Sequence, residues 1–584
     1  MTEPRLFDDG VKLSGRGGSS HTQDEESSAI SHSERVQRSA LWAAYGDALG
    51  WISELTDKRG LERRTAGQPL CQPIEWKRRI GGRVGVTANL PKGCYSDDSQ
   101  LRLATGRSIR ADGFDVEAFS KVELPVWLSY ALGGGKSTSA AASNLARPRV
   151  QWFANTYKGW TDSGGNGAAM RIQPHVWAAH ALNDPTTFLP DVVRNAICTH
   201  SHPDGMMGAV LHALALAHAL NAGDYPTSDD LMDALEVAAK IPAMIQGDME
   251  IGQYWRGSFE HKSGAFADAW TRAIDSCRNT IQVTADTEKQ TGSERYDALV
   301  DRLDLADPAR RGSGMLTAVA AVGLTWCEPQ PEAALRIAAN AIGTDTDTIA
   351  TMAGAILGVN AETDPPVEVL DSALFRSEAE RLSAIANGKT PKDYQYPDLL
   401  HWVAPKTRAD ALVHLDNGDL HVVGLGNAKA VKEPIPSSVD GFEWQWVKLE
   451  IGQTLLIKHR KHLASKGGKF GSLPVKQPEK SSQPIAKDLI QITESVQRAD
   501  DGPSRVAHPS QYPPKDRSQQ SERQPDIEAM IDYLEKHKYA DEDVGRAIRR
   551  VTKKCSTAQI AVFLGVLIDR LRELPAPPPP KQKK

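Results

Sequence analysis

The chain has 584 residues, of which 40% are hydrophobic and 24% charged, a composition typical of a globular protein with one large core and one or two smaller modules. Its formal net charge of −5 is small for this length, which excludes a strongly basic or strongly acidic protein. Six scattered cysteines without a CxxC pair argue against a disulfide framework or a zinc ribbon and indicate a reducing compartment.

The first segment, residues 1–34, is polar and rich in Gly, Ser and charged side chains, and we predict that it forms a disordered tail. It has no apolar core of the signal-peptide type. No stretch of the chain approaches the roughly 20 uninterrupted apolar residues of a membrane span. We therefore expect a cytoplasmic protein without a membrane partner.

Residues 35–385 alternate alanine-rich segments of helical period with loops containing Gly, Pro and Asp, which predicts an all-α domain. Two segments, LWAAYGDALG at 41–50 and TIATMAGAILGV at 348–359, carry small residues on nearly every face. Because Ala and Gly allow helix axes to approach closely, we expect both helices at the centre of a bundle.

The sequence period changes after residue 400. In ALVHLDNGDLHVVGL, two β-branched runs flank Asn417-Gly418, a pair typical of a tight hairpin, and FEWQWVKLEI follows with strand alternation. These patterns predict a small β module at residues 403–460.

The remaining residues predict a linker and a helical segment. Residues 461–525 are rich in Lys, Ser, Gln and Pro, which is typical of a flexible linker, and their basic tract is more typical of a solvated tether than of a nucleic-acid or membrane site. Residues 526–575 are predicted to be helical and 576–584 to be a Pro/Lys tail. The predicted helices carry an apolar face and a capping-box pattern, and we expect them to dock on a partner or self-associate. The face comprises Ile527, Met530, Ile531 and Leu534, and the capping pair is Ser556 and Gln559.

Two acidic stretches, YSDDSQ at 95–100 and GTDTDT at 343–348, carry the strongest chemical signal. Neighbouring carboxylates repel each other, so burying them between apolar flanks requires a compensating cation. A helix cap or an exposed loop would explain single residues of these stretches but hardly four acids with hydroxyl residues interleaved among them. The oxygen-only set predicts Mg²⁺ or Mn²⁺ rather than zinc or copper. The predicted ligands are Ser96, Asp97, Asp98, Asp345, Asp347 and Thr348.

Three loops bear on substrate binding. SGGNGAAMRI at 163–172 places three glycines around Asn166 before an apolar helical run, so its backbone amides can face an anion such as a diphosphate. ICTHSHPDG at 197–205 contains His200 and His202, for which a structural or capping role is the first expectation. LGGGKSTSA at 132–140 looks like a phosphate-binding loop, but Tyr130 occupies the position of its first glycine, so the required spacing fails.

Taken in chain order, five stretches resemble the successive signatures of the ADP-ribosylglycohydrolase family over about residues 36–365. They are AAYGDALGWISE, YSDDSQ, SGGNGAAMRIQP, CTHSHPD and GTDTDTIATMAGAILG. The resemblance implies an orthogonal helical bundle that binds ADP-ribose beside two Mg²⁺ or Mn²⁺ ions held by the six residues above. It implies catalytic roles for Glu54, Asp97 and Asp98. It also implies an ADP-ribose pocket lined by Gly165, Asn166, Gly167 and His200.

The function implied by the resemblance is hydrolytic removal of ADP-ribose from an acceptor, foremost a protein side chain, by cleavage of the N- or O-glycosidic bond at the distal ribose. Whether Glu54 or Asp98 acts as the acid/base group stays open. Two alternatives remain: a metal-dependent hydrolase of another ADP-ribosyl compound or phosphoester, and a non-hydrolytic ADP-ribose-binding protein. The expected partner is an ADP-ribosylated protein, and no nucleic-acid partner is expected.

The chain departs from the family pattern in three places. Ser96 and Ser99 stand where threonines are commoner, which preserves hydroxyl chemistry at residue 96. Thr344 replaces a glycine, and its smaller backbone freedom suggests a reshaped loop. Nothing in residues 400–584 resembles the family, so target choice is expected to lie there.

Overall fold

The computed structural model describes residues 30–82, 85–286 and 291–464, together with 531, 534–536, 539, 544, 547–548, 551 and 563–568. The chain divides into two compact units, Met1–Gln477 and Pro478–Lys584. Most of the predicted tail and linker, the capping pair Ser556 and Gln559, and the tail 576–584 lie outside the described residues.

The first unit is mainly helical. Its α-helices within the described residues are α1 His32–Gly50, α2 Lys58–Arg64, α3 Asp97–Arg107, α4 Val116–Ala118, α5 Leu124–Trp127, α6 Lys136–Leu145, α7 Gln173–Trp177, α8 Leu189–Ile197, α9 Pro203–Ala222, α10 Ser228–Ala238, α11 Ile241–Gly247, α12 Arg256–Ser263, α13 Phe266–Ala285, α14 Gly292–Arg302, α15 Gly314–Cys327, α16 Pro331–Asn340, α17 Thr346–Leu357 and α18 Ser372–Ala386. Its strands are β1 Trp76–Ile80, β2 Val86–Leu90, β3 Ile109–Arg110, β4 Gly113–Phe114, β5 Leu412–His414, β6 Leu420–Val422, β7 Gly426–Ala430, β8 Ile435–Pro436, β9 Phe442–Leu449 and β10 Thr454–Arg460.

The helices α1 and α17 pack at the centre of the core, as their small residues predict. Glycines bring the two backbones into contact: a Cβ atom on Gly46 would lie 2.3 Å from the Ala350 carbonyl oxygen, and one on Gly354 would lie 2.4 Å from that of Trp42. As a result, the C-terminal end of α1 lies directly beside the N-terminal end of α17. The helix α1 begins inside the predicted tail, because Ser31 and Glu34 form a capping box.

The prediction of an all-α region over 35–385 is confirmed for most of that region but is wrong at two places. β1 and β2 form an antiparallel hairpin in which Trp76 pairs with Leu90, and β3 and β4 form a second, shorter one. In β1, buried Trp76 and Ile80 alternate with exposed Lys77 and Arg79, which is the strand period rather than the helical one.

The predicted β module is present as an antiparallel sheet of six strands in the order β10-β9-β7-β6-β5, with β8 paired to β9. The expected hairpin joins β5 to β6, and Gly418 in its turn has the predicted positive φ of 87°. Side chains of β9 and β10, among them Trp446 and Leu456, belong to the same hydrophobic cluster as the helices. The sheet therefore completes the core of the first unit.

α9 is long and apolar enough to cross a membrane, but 89% of its most apolar window is buried inside the fold, so it packs as a core helix.

The second unit has a small hydrophobic cluster of its own. Ile531 and Leu534 of the predicted apolar face are buried in it with Val551, Phe563 and Leu567. Part of that face therefore serves the unit's own packing.

Candidate active site

The helix α1 carries one acid into the core and leads to a second. Asp47, near the end of α1, is completely buried, and its carboxylate accepts 2.9 Å hydrogen bonds from the backbone N–H groups of Ser96 and Ser99. In the turn that follows α1, Glu54 Oε2 accepts a 2.7 Å hydrogen bond from Arg78 Nη2. Asp47 thereby ties the start of α3 to α1, while β1 holds the Glu54 carboxylate.

The N-terminus of α3 supplies the second group of oxygen atoms. Ser96 caps the helix by accepting from the Asp98 N–H group at 3.1 Å, and its hydroxyl donates to Asp98 Oδ2 at 3.2 Å. Asp97 Oδ1 accepts from the Gly134 N–H group at 2.8 Å. Among the described residues, Asp98 Oδ1 is buried without a hydrogen-bond partner, so this carboxylate oxygen lies in the interior with its lone pairs unsatisfied.

The N-terminus of α17 supplies the third group. Glu54, Asp345 and Asp347 each present a carboxylate oxygen within 4.8 Å of the other two. Thr348 is buried on the first turn of α17 beside them. Thr344 stands where the family pattern has a glycine, but its backbone does not adopt the left-handed conformation that favours glycine. Its neighbour Gly343 adopts that conformation, with φ 104°.

Glu54, Asp97, Asp98, Asp345 and Asp347 are called the acid cluster below, and their electrostatics favour a bound cation. Burial, followed by Glu54 and Asp47, raises the pKa of Asp97 to about 8. Burial and the neighbouring acids also raise the pKa values of Asp98 and Asp347 well above their usual range. A buried set of mutually repelling carboxylates with one unpartnered oxygen fits a hard divalent ion, because that ion replaces repulsion with ligation by oxygen. The donor set thus suits Mg²⁺ or Mn²⁺.

The glycine loop meets the acid cluster through Asn166. Asn166 Nδ2 donates to Asp345 Oδ2 at 2.8 Å and to Thr317 Oγ1 at 3.2 Å. A Cβ atom on Gly167 would lie 2.9 Å from His200 Cε1, so glycine is needed where the loop passes the ring. The predicted pocket residues Gly165, Asn166, Gly167 and His200 are therefore assembled next to Asp345.

The two histidines of CTHSHPD differ in role. His202 caps α9 by accepting from the Asp204 N–H group at 3.2 Å, the structural role first expected for it. His200 is buried, and burial followed by the charge of Arg171 lowers its pKa to about 3, which keeps the ring neutral. Its Nδ1 contacts Thr199 Oγ1 at 2.7 Å, and its Nε2 faces Gly165.

The loop LGGGKSTSA, which is not a nucleotide P-loop by its spacing, nevertheless lies against the acid cluster. A Cβ atom on Gly133 would lie only 2.3 Å from Asp97 Oδ1. Thr138, in the first turn of the following helix α6, lies close enough that a Cβ atom on Gly167 would approach its Oγ1 to 2.8 Å. The loop therefore contacts Asp97, and the start of α6 contacts the glycine loop.

Sequence reasoning did not single out three charged residues that interact with the site acids or the start of α3: Asp47, Arg78 and Arg102. Arg102 is buried at 1% exposure and is a charge partner of Asp47 and Asp98. Asp47 is the charged residue in the otherwise apolar stretch LWAAYGDALG at 41–50, and such an acid is a usable signal for a buried site. Arg78 gives no such signal, since it lies in a basic stretch and meets Glu54 only through the β1–β2 hairpin.

A sequence model of the ADP-ribosylglycohydrolase family matches residues 28–384. This chain belongs to that family. The ADP-ribosyl-[dinitrogen reductase] glycohydrolase of Rhodospirillum rubrum is 31% identical over 177 residues, which are 29% of this chain and 52% of the relative. The chain thus matches about half the length of that relative.

Among solved structures, one described as an ADP-ribosylglycohydrolase-related protein complex is 20% identical. The alignment covers 61% of this chain and 99% of the other, with a TM-score of 0.40. The family match ends before β5, so the six-stranded sheet lies outside it.

Proposed function

We propose that this chain is a metal-dependent hydrolase that removes ADP-ribose from an ADP-ribosylated acceptor, foremost a protein side chain. The observation that carries the proposal is that Glu54, Asp345 and Asp347 bring carboxylate oxygens within 4.8 Å of one another. Asn166 of the glycine loop donates to Asp345, and the buried Asp98 lies within electrostatic reach of Asp345. Family membership supports the same reaction class. The R. rubrum relative is named for acting on an ADP-ribosylated protein, which favours a protein acceptor.

In this proposal, two Mg²⁺ or Mn²⁺ ions are held by the six predicted ligands. These are Ser96, Asp97, Asp98, Asp345, Asp347 and Thr348. When bound, the ions would supply positive charge against the buried carboxylates, orient ribose hydroxyls and lower the pKa of water. Asp47 and Arg102 act behind the ligands, because Asp47 fixes the start of α3 and Arg102 offsets its charge.

The protein groups have separable tasks. Glu54 and Asp98 are the two candidates for moving a proton at the glycosidic bond, and Glu54 is the one carried by a turn rather than a helix. Arg78 holds Glu54 Oε2 and thereby orients the carboxylate. The backbone of Gly165–Gly167 accommodates the close approach of an ADP-ribose diphosphate, and the neutral His200 ring offers Nε2 for a hydrogen bond.

The experiment is a release assay on the full chain with Mg²⁺ or Mn²⁺. Substrates are peptides carrying ADP-ribosyl-arginine or ADP-ribosyl-serine, an ADP-ribosylated oligonucleotide and a small ADP-ribosyl compound, and the product measured is free ADP-ribose. Chelation and Asp97→Ala should abolish release, while Asp233→Ala, at an exposed position on α10, should not. Binding without release from any substrate would instead favour a non-hydrolytic ADP-ribose-binding protein. Release from the small compound alone would favour the other hydrolase alternative. The proposed setting is the cytoplasm, with docking or self-association left to the C-terminal helices.

A further inference from the structure

A groove of about 640 Å³ lies between α2 and β1, directly beside the Glu54 turn. One wall carries Arg63 and Arg64 of α2, and the other carries Lys77 and Arg79 of β1. The groove also reaches Thr56, two residues beyond Glu54. A second groove of about 550 Å³, lined by Arg59 and Arg63 among others, adjoins the same helix. The two grooves therefore share Arg63, and the first of them reaches the turn that carries Glu54.

The groove walls are basic in a chain that is acidic overall. Residues 54–64 and 75–79 contain seven Lys or Arg and four Asp or Glu, whereas the whole chain has a formal charge of −5. Arg59, Arg63 and Lys77 are exposed, and within the described ranges none of their side chains has a hydrogen-bond or ion-pair partner. Arg63 on one wall and Lys77 on the other therefore contribute positive potential to the groove, which attracts an acidic ligand.

Arg64 connects the groove to the turn that carries Glu54. Arg64 Nη1 donates to the carbonyl oxygens of Ile52 at 2.8 Å and Glu54 at 2.9 Å. A ligand that follows the groove wall at Arg64 therefore runs toward the Glu54 turn. The groove is thus placed to hold the part of an acceptor that continues beyond its ADP-ribosylated side chain.

We infer that this groove binds an acidic polypeptide segment that flanks the ADP-ribosylated residue of the acceptor, an inference that rests on the proposed function. A polypeptide fits better than a nucleic acid for two reasons. Trp76, the aromatic residue of the groove lining, is 3% exposed and covered by Arg64 at 5.2 Å, so its ring offers no platform for a base. Glu75 in the same lining would repel a backbone that carries a phosphate at every unit, whereas a peptide can place a neutral N–H group beside Glu75 and its acidic side chains beside Arg63 and Lys77.

The test compares acceptors that differ only in charge. Peptides carrying one ADP-ribosyl group are made with Asp/Glu flanks or with Ser/Gln flanks, and an ADP-ribosylated oligonucleotide and a small ADP-ribosyl compound complete the set. The full chain is compared with Arg63→Glu/Lys77→Glu and with the matched control Arg272→Glu/Lys389→Glu. The control residues are exposed on α13 and just after α18, and they line neither groove.

We expect wild type to have a KM about tenfold lower for the acidic than for the neutral peptide at low salt, and the groove variant to lose this preference. The control variant should keep it. Turnover of the small compound should stay within about twofold in all three proteins. Equal KM values for the two peptides in wild type, an unchanged preference in the groove variant, a preference for the oligonucleotide, or a parallel loss on the small compound would each overturn the inference.

A second readout separates this inference from the proposed function. Fluorescence anisotropy measures binding of the acidic peptide without its ADP-ribosyl group. If no substrate releases ADP-ribose, the proposed function fails, while salt-sensitive peptide binding that only the groove variant loses still supports the groove. If release occurs but wild type and the groove variant bind the peptide equally, the groove assignment fails alone.

Discussion

Gly50, the last residue of α1, lies against the acid-bearing end of α17, and its replacement by alanine tests how closely the two helices must approach. An added Cβ atom would lie 2.4 Å from the Thr346 carbonyl oxygen and 2.6 Å from Asp347 Cα. Ordinary contacts begin near 3.4 Å, so the helices must separate by about 1 Å at this point. That movement would displace Asp347 from Glu54 and Asp98.

The expected cost in stability is modest, and the expected cost in activity is large. Overpacking costs about 1–3 kcal/mol, and the better helix propensity of alanine offsets up to about 1 kcal/mol of this. A misplacement of about 1 Å in a catalytic group lowers turnover by about 10²-fold. Gly50→Ala should therefore lose about a hundredfold in ADP-ribose release while its thermal midpoint falls by only a few degrees.

Gly354→Ala is the matched control, because its Cβ atom would lie 2.4 Å from the Trp42 carbonyl oxygen at the same helix pair but about two turns further along α17 from the acids. It should lose similar stability and less than about fivefold in release. The measurements are thermal melting, Mn²⁺ binding by calorimetry, and release well below both midpoints. Equal activity losses in the two variants, or unchanged Mn²⁺ affinity in Gly50→Ala, would refute the reasoning.

Three other perturbations follow from the same structure. Asp347→Ala should abolish release yet leave the metal-free melting temperature equal or higher, since it removes repulsion among the acids. Mg²⁺ or Mn²⁺ should raise the melting temperature of wild type only. An equal rise in the variant would exclude Asp347 as a metal ligand. A chain ending after residue 464 should remain soluble and active on a small substrate, whereas one ending after residue 400 should aggregate; a soluble, active 400-residue chain would contradict the shared core. Burial lowers the pKa values of His175 and His212 to about 3, so each histidine contributes stability that is lost as pH drops from 6.5 toward 3, while the raised pKa values of the buried acids act in the opposite direction. The difference in urea midpoint between wild type and His212→Gln, measured from pH 7.5 to 5.5, isolates the contribution of His212 and should shift against wild type as pH drops.

The parts of the fold that sequence predicts are those encoded by local pattern. The small residues of α1 and α17 predict the close contact of these helices, and Asn417-Gly418 predicts the hairpin between β5 and β6. The acids at 97, 98, 345 and 347 are recognisable because charged pairs between apolar flanks are costly unless they are used. Each of these signals lies within a dozen residues of chain.

The features that escape prediction depend on contacts between distant segments. The β1–β2 hairpin brings Arg78 within hydrogen-bond distance of Glu54. The basic sequence around residue 78 gives no indication that Glu54 is its partner. The spacing of the loop at 132–140 fails for a nucleotide site, yet its Gly134 N–H group donates to Asp97. Such roles follow from the packing of elements and not from the periodicity of any one of them.

The C-terminal sheet supports the acid cluster although it lies outside the region matched by the family. At the β9–β10 turn, the N–H group and the hydroxyl of Thr454 donate to Asp371 at 2.6 and 2.7 Å, and Asp371 also accepts from the Tyr95 hydroxyl, directly before Ser96, at 3.0 Å. The neighbouring Gln453 accepts from Arg107 at 2.7 Å. The turn therefore contacts the last residue of α3 directly and is linked through Asp371 to Tyr95, just before α3. We expect this connection to help hold Asp97 and Asp98 in place. The helical region and the sheet therefore share one core. Under the proposed function, we expect the specificity to depend on the groove beside Glu54 rather than on the sheet.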